Sequence, residues 1–188
     1  MNESLQHLIS LDQRIFLALN GQHSPFWDVV MSWITYKYSW IPMYLILLAV
    51  TIRKNKKGAI AMVIALIAAV GLADFVTSGL MKPYFARLRP CHDPVISQLV
   101  HTVDGCGGMF GYASSHASTS MALAICWILL MGPQFRFLLG WVLIYSYSRI
   151  YVGVHYPLDI LTGWLAGFLI ALLSFKVYQT FLPKNSHN

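Results

Sequence analysis

The chain has 188 residues, of which 57% are hydrophobic and only 11% charged, with a net charge of +6 at pH 7. Soluble domains carry about 25% charged residues, so this composition excludes an ordinary soluble domain and indicates one membrane-embedded domain spanning 1–188. The basic excess does not read as a nucleic-acid surface, because it divides between scattered sites and one short run, "RKNKK" at 53–57, of the kind that flanks membrane spans.

In lipid the backbone must satisfy its own polar groups, and no alternating barrel pattern is visible. The expectation is therefore all-α: a polytopic transmembrane helical bundle of five or six spans with an N-terminal interfacial helix. The first twenty residues show no basic start, long apolar run and cleavage site, so no removable signal peptide is expected. Leu5, Leu8, Ile9, Ile15, Phe16 and Leu19 recur at helical spacing among polar residues, which predicts a helix over 5–19 lying in the interface. The turn "NGQHSP" then leads to a second short piece at 25–35, so 1–36 is read as peripheral, 37–182 as the bundle and 183–188 as a cytoplasmic tail.

Apolar runs at 39–52, 58–81, 117–131, 135–151 and 157–182 predict five crossings, each measured against the roughly 20 residues a span needs. The first is short and must borrow length upstream; a sixth crossing there would return the N-terminus to the cytoplasm. Gly163 and Gly167, four apart, permit close helix contact. Two aromatic groups, Trp33, Tyr36, Tyr38 and Trp40, and Tyr145, Tyr147, Tyr151 and Tyr156, fit an interfacial belt better than the alternative, the lining of a lipid path.

Because each crossing switches sides, Arg53, Lys54, Lys56, Lys57, Arg136 and Lys184 fall together and should be cytoplasmic. The opposite, periplasmic or extracellular side takes the long connection 83–113 and the junction 152–156. There the ionisable residues cluster differently. "KPYFARLRP" carries Lys82, Arg87 and Arg89, "YASSHAS" carries Ser114, Ser115 and His116, and "SRIYVGVHYPLD" carries Arg149, His155 and Asp159. Ionisable groups inside a membrane are costly, about 2.5–3.5 kcal/mol at mid-span, and mark function by default.

Phosphoryl transfer unites these residue types. Arginine forks match phosphate oxygens and lysine adds a compact charge, while a helix starting at Ser114–His116 would offer free N–H groups to an anion. Three cations would neutralise the equatorial oxygens. One neutral histidine attacks phosphorus and a second, protonated one serves the leaving oxygen. Asp159, four residues after His155 and past a helix-opening Pro157, would hold its tautomer. This points to His155 as nucleophile and His116 as acid. A metal reading of His116, His155 and Asp159, joined by His92 or Asp93, is disfavoured by the surrounding cations, so no metal or other cofactor is expected. His7, His23 and His187 read as satisfied or solvated.

Asp74 has two readings, support for a polar group of the site or a carboxylate satisfied by Thr77, Ser78 or a neighbouring helix. Cys91 and Cys106 share the long connection, and on an oxidising side a disulfide between them would pin it; Cys126 lies within a span.

These residues resemble the type 2 phosphatidic acid phosphatase superfamily, the lipid phosphate phosphatases whose site is shared with vanadium haloperoxidases. Its pattern is a lysine, six residues, then Arg-Pro; next Pro-Ser-Gly-His; last Ser-Arg, five residues, His, three residues, Asp. Lys82 to Arg89-Pro90 matches the first in spacing, and Ser148-Arg149, His155 and Asp159 match the third completely. In the middle motif Ala113 replaces the proline and Ser115 the glycine, while Ser114 and His116 remain; the Ser115 amide can meet phosphate only with a negative φ. The resemblance implies phosphate ligands Lys82, Arg89, Ser114, Ser115 and Arg149, a general acid His116, a nucleophile His155 and an orienting Asp159, with Arg87 outside the motif.

The expected function is a metal-independent phosphohydrolase at the outer membrane surface, acting on a lipid phosphate or diphosphate. The resemblance implies undecaprenyl diphosphate, with a slight preference, or phosphatidylglycerophosphate; lipid A and phosphatidic acid stay open. Phosphotransfer to another acceptor, or a non-catalytic lipid-phosphate binding or transport protein, would keep the same anion site. Membrane lipids are the expected surroundings, and the sequence leaves protein partners open.

Overall fold

The computed structural model describes residues 3–181; Lys184, His187 and the expected tail at 183–188 lie outside the described residues. The regular structure of the described residues is helical, with one isolated bridge between Leu88 and Phe110. Helices α1 (Glu3–Asn20) and α2 (Pro25–Thr35) precede a 3-10 turn and α3 (Ile41–Lys54). Next, α4 (Ala59–Asp74), a π-helical stretch (Phe75–Met81) and α5 (Lys82–Phe85) form one continuous helix, Ala59–Phe85. A long connection then reaches α6 (Ser115–Met131), α7 (Phe137–Tyr151) and α8 (Pro157–Phe181).

Two helices, Ala59–Phe85 and Pro157–Phe181, are long and apolar enough to cross a membrane, and α6 is a shorter apolar helix. At 1.5 Å per residue the first is about 40 Å long and α3 only about 21 Å. The outward faces of the long helices carry Ile60, Ile64, Ile67, Leu161, Leu165 and Leu169, all exposed, an apolar surface suited to lipid rather than water.

The bundle centres on α6, which packs most extensively against α8 and also against α4 and α7. Gly163 and Gly167 allow this: a Cβ at Gly163 would stand 2.6 Å from the Ser114 carbonyl oxygen, and one at Gly167 would collide with the Ser118 backbone. A core of Leu47, Leu66, Trp127, Leu138 and Trp141 fills the middle and one end. At that end the Lys54 ammonium lies 5.7 Å from the Phe135 ring centroid, so the 53–57 loop and the α6–α7 turn share it.

The other end collects the long connection and the α7–α8 junction, and α1 is clamped over them. Its inward stripe is Asp12, Phe16 and Asn20, at the i, i+4, i+8 spacing of one helical face. The apolar residues that mark this helix in the sequence mostly face outward: Leu5, Leu8 and Ile15 are exposed, and only Phe16 is fully buried. Phe16 packs edge-on against Tyr156. Asn20 Nδ2 donates to the carbonyls of His101 (2.9 Å), Ile150 (3.1 Å) and Tyr151 (2.8 Å), and its Oδ1 accepts from the His101 N–H (2.8 Å).

The second aromatic group is a correction to the sequence reading. Tyr145, Tyr151 and Tyr156 are buried within the protein instead of forming a belt. Their hydroxyls explain two of them, since Tyr151 donates to Asp28 (2.7 Å) and Tyr156 to Asp93 (2.7 Å). Trp33, Tyr36 and Tyr38 are exposed.

Candidate active site

Lys82 stands in the last turn of the continuous helix, just after the π stretch. Such a stretch widens the helix by one residue per turn and re-aims the side chains beyond it. Lys82 Nζ donates to Ser115 Oγ (3.3 Å) on α6 and to Ser78 Oγ (3.2 Å), and Ser78 Oγ donates to Asp74 Oδ1 (3.0 Å). Asp74 is thus satisfied locally by Ser78, whose hydroxyl also accepts from Lys82. Ala86 ends the helix in the left-handed region, φ 46°, and sends Arg87 and Arg89 into the connection.

Arg89 is held by its backbone N–H to the Met109 carbonyl (3.1 Å) and by Nε to the Phe110 carbonyl (3.3 Å). The Cys91–Cys106 disulfide closes the same loop, with Cα atoms 5.9 Å apart. Closing about 15 residues limits the unfolded chain by about 3 kcal/mol in the loop-entropy picture.

Ser114 is the N-cap of α6, its hydroxyl accepting from the Ala117 N–H (3.5 Å) while its own N–H donates to the Asp159 carbonyl (3.0 Å). Ala86 is the only positive-φ residue other than glycine among those described. Ser115 therefore has a negative φ, which meets the condition for its amide to face an anion. His116, one residue further, packs against Tyr145 with centroids 5.2 Å apart.

At the end of α7, Arg149 donates through Nη1 to Thr35 Oγ1 (2.5 Å), and its buried Nε has no hydrogen-bond partner among the described residues. Gly153, at φ 81°, turns the junction so closely under the long connection that a side chain there would strike the His101 backbone. His155 and Asp159 come next, 1% and 0% exposed. Asp159 Oδ2 lies 3.3 Å from His155 Nδ1 and accepts the Tyr156 N–H (3.0 Å). Gly111 packs against this pair; a Cβ there would stand 3.2 Å from Asp159 Oδ2.

Burial, together with the charges of Arg149, Arg89 and Lys82, holds the His155 imidazole well below its ordinary range. His155 is accordingly neutral at pH 7, the form that carries a lone pair. His116 lies within electrostatic reach of Arg149, His155, Lys82 and Arg89, so the three separated segments meet in one place. His92 and Asp93 are turned elsewhere, His92 to the Gly107 carbonyl (3.3 Å) and Asp93 to Tyr156 and Gln13.

Arg87 is not among the cations that face this centre. It donates to Asp159 Oδ1 (2.9 Å) and to Asp12 Oδ2 (2.5 Å), behind the His155–Asp159 pair. Burial opposes its charge, but Asp159 and Asp12 together push its pKa above the ordinary value. Asp12 and Thr35 are contacts that sequence reasoning missed; the one available signal was a carboxylate in register with Phe16 and Asn20 on α1.

From His116 and Arg149 a cleft of about 810 Å³ opens between α2 and the long connection, lined by Asp28, Ser32, Trp33, Tyr36, Lys37 and Asp104. A second, apolar groove of about 650 Å³ runs beside Tyr145 between α3 and α4, past Ile41, Tyr44, Leu66, Val70 and Leu123. Chemically, the centre can hold an anion, present a neutral imidazole to it and place a second imidazole beside both.

The PAP2 superfamily model matches residues 58–183. A lipid A 4'-phosphatase from Bacteroides thetaiotaomicron is 37% identical over 168 residues, 87% of this chain and 75% of that protein. An undecaprenyl-diphosphatase from Sulfolobus acidocaldarius is 33% identical over 183 residues, 95% of this chain and 79% of that protein. Among solved structures, the transmembrane PAP2 type phosphatidylglycerolphosphate phosphatase from Bacillus subtilis superposes with a TM-score of 0.71 at 20% identity, covering 98% of this chain and 90% of that one.

Proposed function

We propose that this chain, which belongs to the PAP2 superfamily and is a membrane lipid phosphatase of that type, hydrolyses its substrate through a phosphohistidine on His155. The observation that carries the reading is the convergence of Lys82, Arg89 and Arg149 around the neutral, Asp159-held imidazole of His155. Arg149 Nε, buried and unpartnered among the described residues, is the donor most in need of an anion. On this reading the three cations, the Ser114 hydroxyl and the Ser115 hydroxyl and amide hold the phosphate, and protein charge takes the place a metal would fill.

His155 Nε2 attacks phosphorus as the bond to the leaving oxygen breaks, and His116, whose imidazole burial and the neighbouring cations hold well below its ordinary range until the phosphate charge offsets them, gives that oxygen its proton. Asp159 stabilises the positive imidazole that forms. Water then attacks the phosphohistidine, His116 takes its proton, the N–P bond breaks and phosphate leaves. With five crossings, and α1 and α2 at the interface, this centre belongs at the periplasmic or extracellular surface of the cytoplasmic membrane, in keeping with the basic loop at the far end.

Two headgroups have support. Lipid A phosphate is favoured by the cleft next to His116, whose carboxylates, hydroxyl and aromatic rings suit a sugar. Undecaprenyl diphosphate is favoured by Lys37 in the same cleft, which would meet the phosphate left on the isoprenoid. The apolar groove beside Tyr145 suits the hydrocarbon of either. Phosphate release by purified protein in EDTA tests the reading, across undecaprenyl diphosphate, lipid A, phosphatidylglycerophosphate and phosphatidic acid. Turnover of one of these in chelator is expected; dependence on added metal, or transfer without free phosphate, would refute it.

A further inference from the structure

Behind the His155–Asp159 pair the charged groups continue in a row. Asp159 Oδ2 faces His155, and its Oδ1 accepts from Arg87 Nη1 at 2.9 Å. Arg87 Nη2 meets Asp12 Oδ2 at 2.5 Å, and the guanidinium lies 4.1 Å from the Tyr156 ring centroid. Asp12 Oδ1 accepts the Leu158 N–H at 3.0 Å, in the first turn of α8. Imidazole, carboxylate, guanidinium and carboxylate therefore alternate across the junction, α8, the long connection and α1. The last member comes from outside the 58–183 segment matched to the family.

A docking role does not account for Asp12. Phe16 is fully buried and Asn20 makes four hydrogen bonds on the same stripe, so α1 is anchored without it. A buried ion pair is a poor source of stability, because desolvation consumes most of its Coulomb gain. The pair does affect Asp159. Arg87 fixes the carboxylate from behind but by itself would also draw it away from His155; Asp12 takes up part of the guanidinium charge, so Asp159 stays both fixed and free to accept from the imidazole.

We propose that Asp12 is a positioning residue for the nucleophile, acting through Arg87 to set how Asp159 is shared between Arg87 and His155. The inference rests on the reading of His155 as nucleophile. It makes the N-terminal helix part of the catalytic apparatus: the chain cannot attack phosphate at full rate unless α1 is seated.

The test uses the full chain, purified in lipid nanodiscs, with kcat, KM and the acid limb of kcat/KM measured for Asp12→Asn, Arg87→Gln, Arg87→Lys and the double variant Asp12→Asn/Arg87→Gln. The groups facing His155 stay constant throughout: Asp159 from α8, Arg149 from α7, His116 from α6, Lys82 from α5 and Arg89 from the connection. Facing Arg87, Tyr156 and its partner Asp93 are also unchanged. Asp12→Asn should lower kcat about tenfold and Arg87→Gln about 10²-fold with KM little changed, the scale of small misplacements at a reacting centre. Removing the negative charge should move the acid limb to lower pH and removing the positive charge to higher pH; Arg87→Lys should restore the limb but only part of kcat. In the Arg87→Gln background Asp12→Asn should have no further effect.

Unchanged kcat in Asp12→Asn, limbs that move the same way, or additive losses in the double variant would overturn the proposal. Should Asp12→Asn fail to fold, Asp12→Glu carries the same kinetic comparison, with the limb kept at its wild-type pH. Asn20→Ala loosens α1 while leaving the charged row intact, so it should lower the melting temperature without moving the limb; if it reproduces the Asp12→Asn profile, Asp12 acts only by docking. Full turnover in His155→Ala would instead sink the nucleophile reading, a result separate from all of these.

Discussion

In the middle of the bundle and at the end away from the site, the buried residues are Leu47, Leu66, Trp127, Leu138 and Trp141; at the site end, residues buried as deeply include Asp12, Asn20, His155 and Asp159. The first group is held by close packing, which accepts similar shapes. The second is held by directional bonds, where losing one partner leaves a buried polar group unpaired. Mutations in the two regions should therefore separate stability from turnover.

The largest effect is expected at the site end: His155→Ala should lower turnover per folded molecule by about 10⁴-fold or more, with substrate binding retained. Loss of binding together with loss of turnover would mean that His155 holds substrate instead of attacking it. Arg149→Lys should cost about 10²–10³-fold in kcat, because an ammonium cannot reproduce a fork that meets Thr35 and, on the proposed reading, the phosphate as well; near-normal kcat would remove Arg149 from the site. In the packed region the pattern should invert. Leu138, fully buried, opens a cavity when cut to alanine, at about 3 kcal/mol of stability, while kcat per folded molecule stays near wild type.

The smallest effect concerns pH. Because the imidazole of His155 is depressed well below its ordinary value of about 6.5, the unfolded chain binds a proton there that the folded protein excludes. Stability contributed by this group is complete above about pH 6.5 and declines as pH falls below it. Thermal midpoints between pH 7 and 5 should fall, and His155→Gln should flatten the slope; a parallel slope in both proteins would assign the decline to other groups.

Much of the candidate site was legible in the sequence because its spacings are local. Arg149, His155 and Asp159 lie within eleven positions, and the lysine and Arg-Pro of the first motif within nine. The role of Arg87 was not, since its partners Asp12 and Asp159 are 75 and 72 residues away. Nor was the burial of Tyr145, Tyr151 and Tyr156: at a span end an aromatic ring can face either the headgroups or the protein, and composition is the same for both.

Partition and the kind of chemistry to expect are legible in residue identity alone. Too little charge for water suits the helices to lipid, and basic residues and histidines at set intervals point to a phosphate site, because hydropathy and side-chain type are properties of each residue. Which groups touch is settled by packing. The Lys82–Ser78–Asp74 relay depends on helix geometry, and the seating of Asp12 behind Arg87 depends on α1 docking by Phe16 and Asn20. Contacts between distant segments arise from how helices pack in three dimensions, and no periodicity along the chain records them.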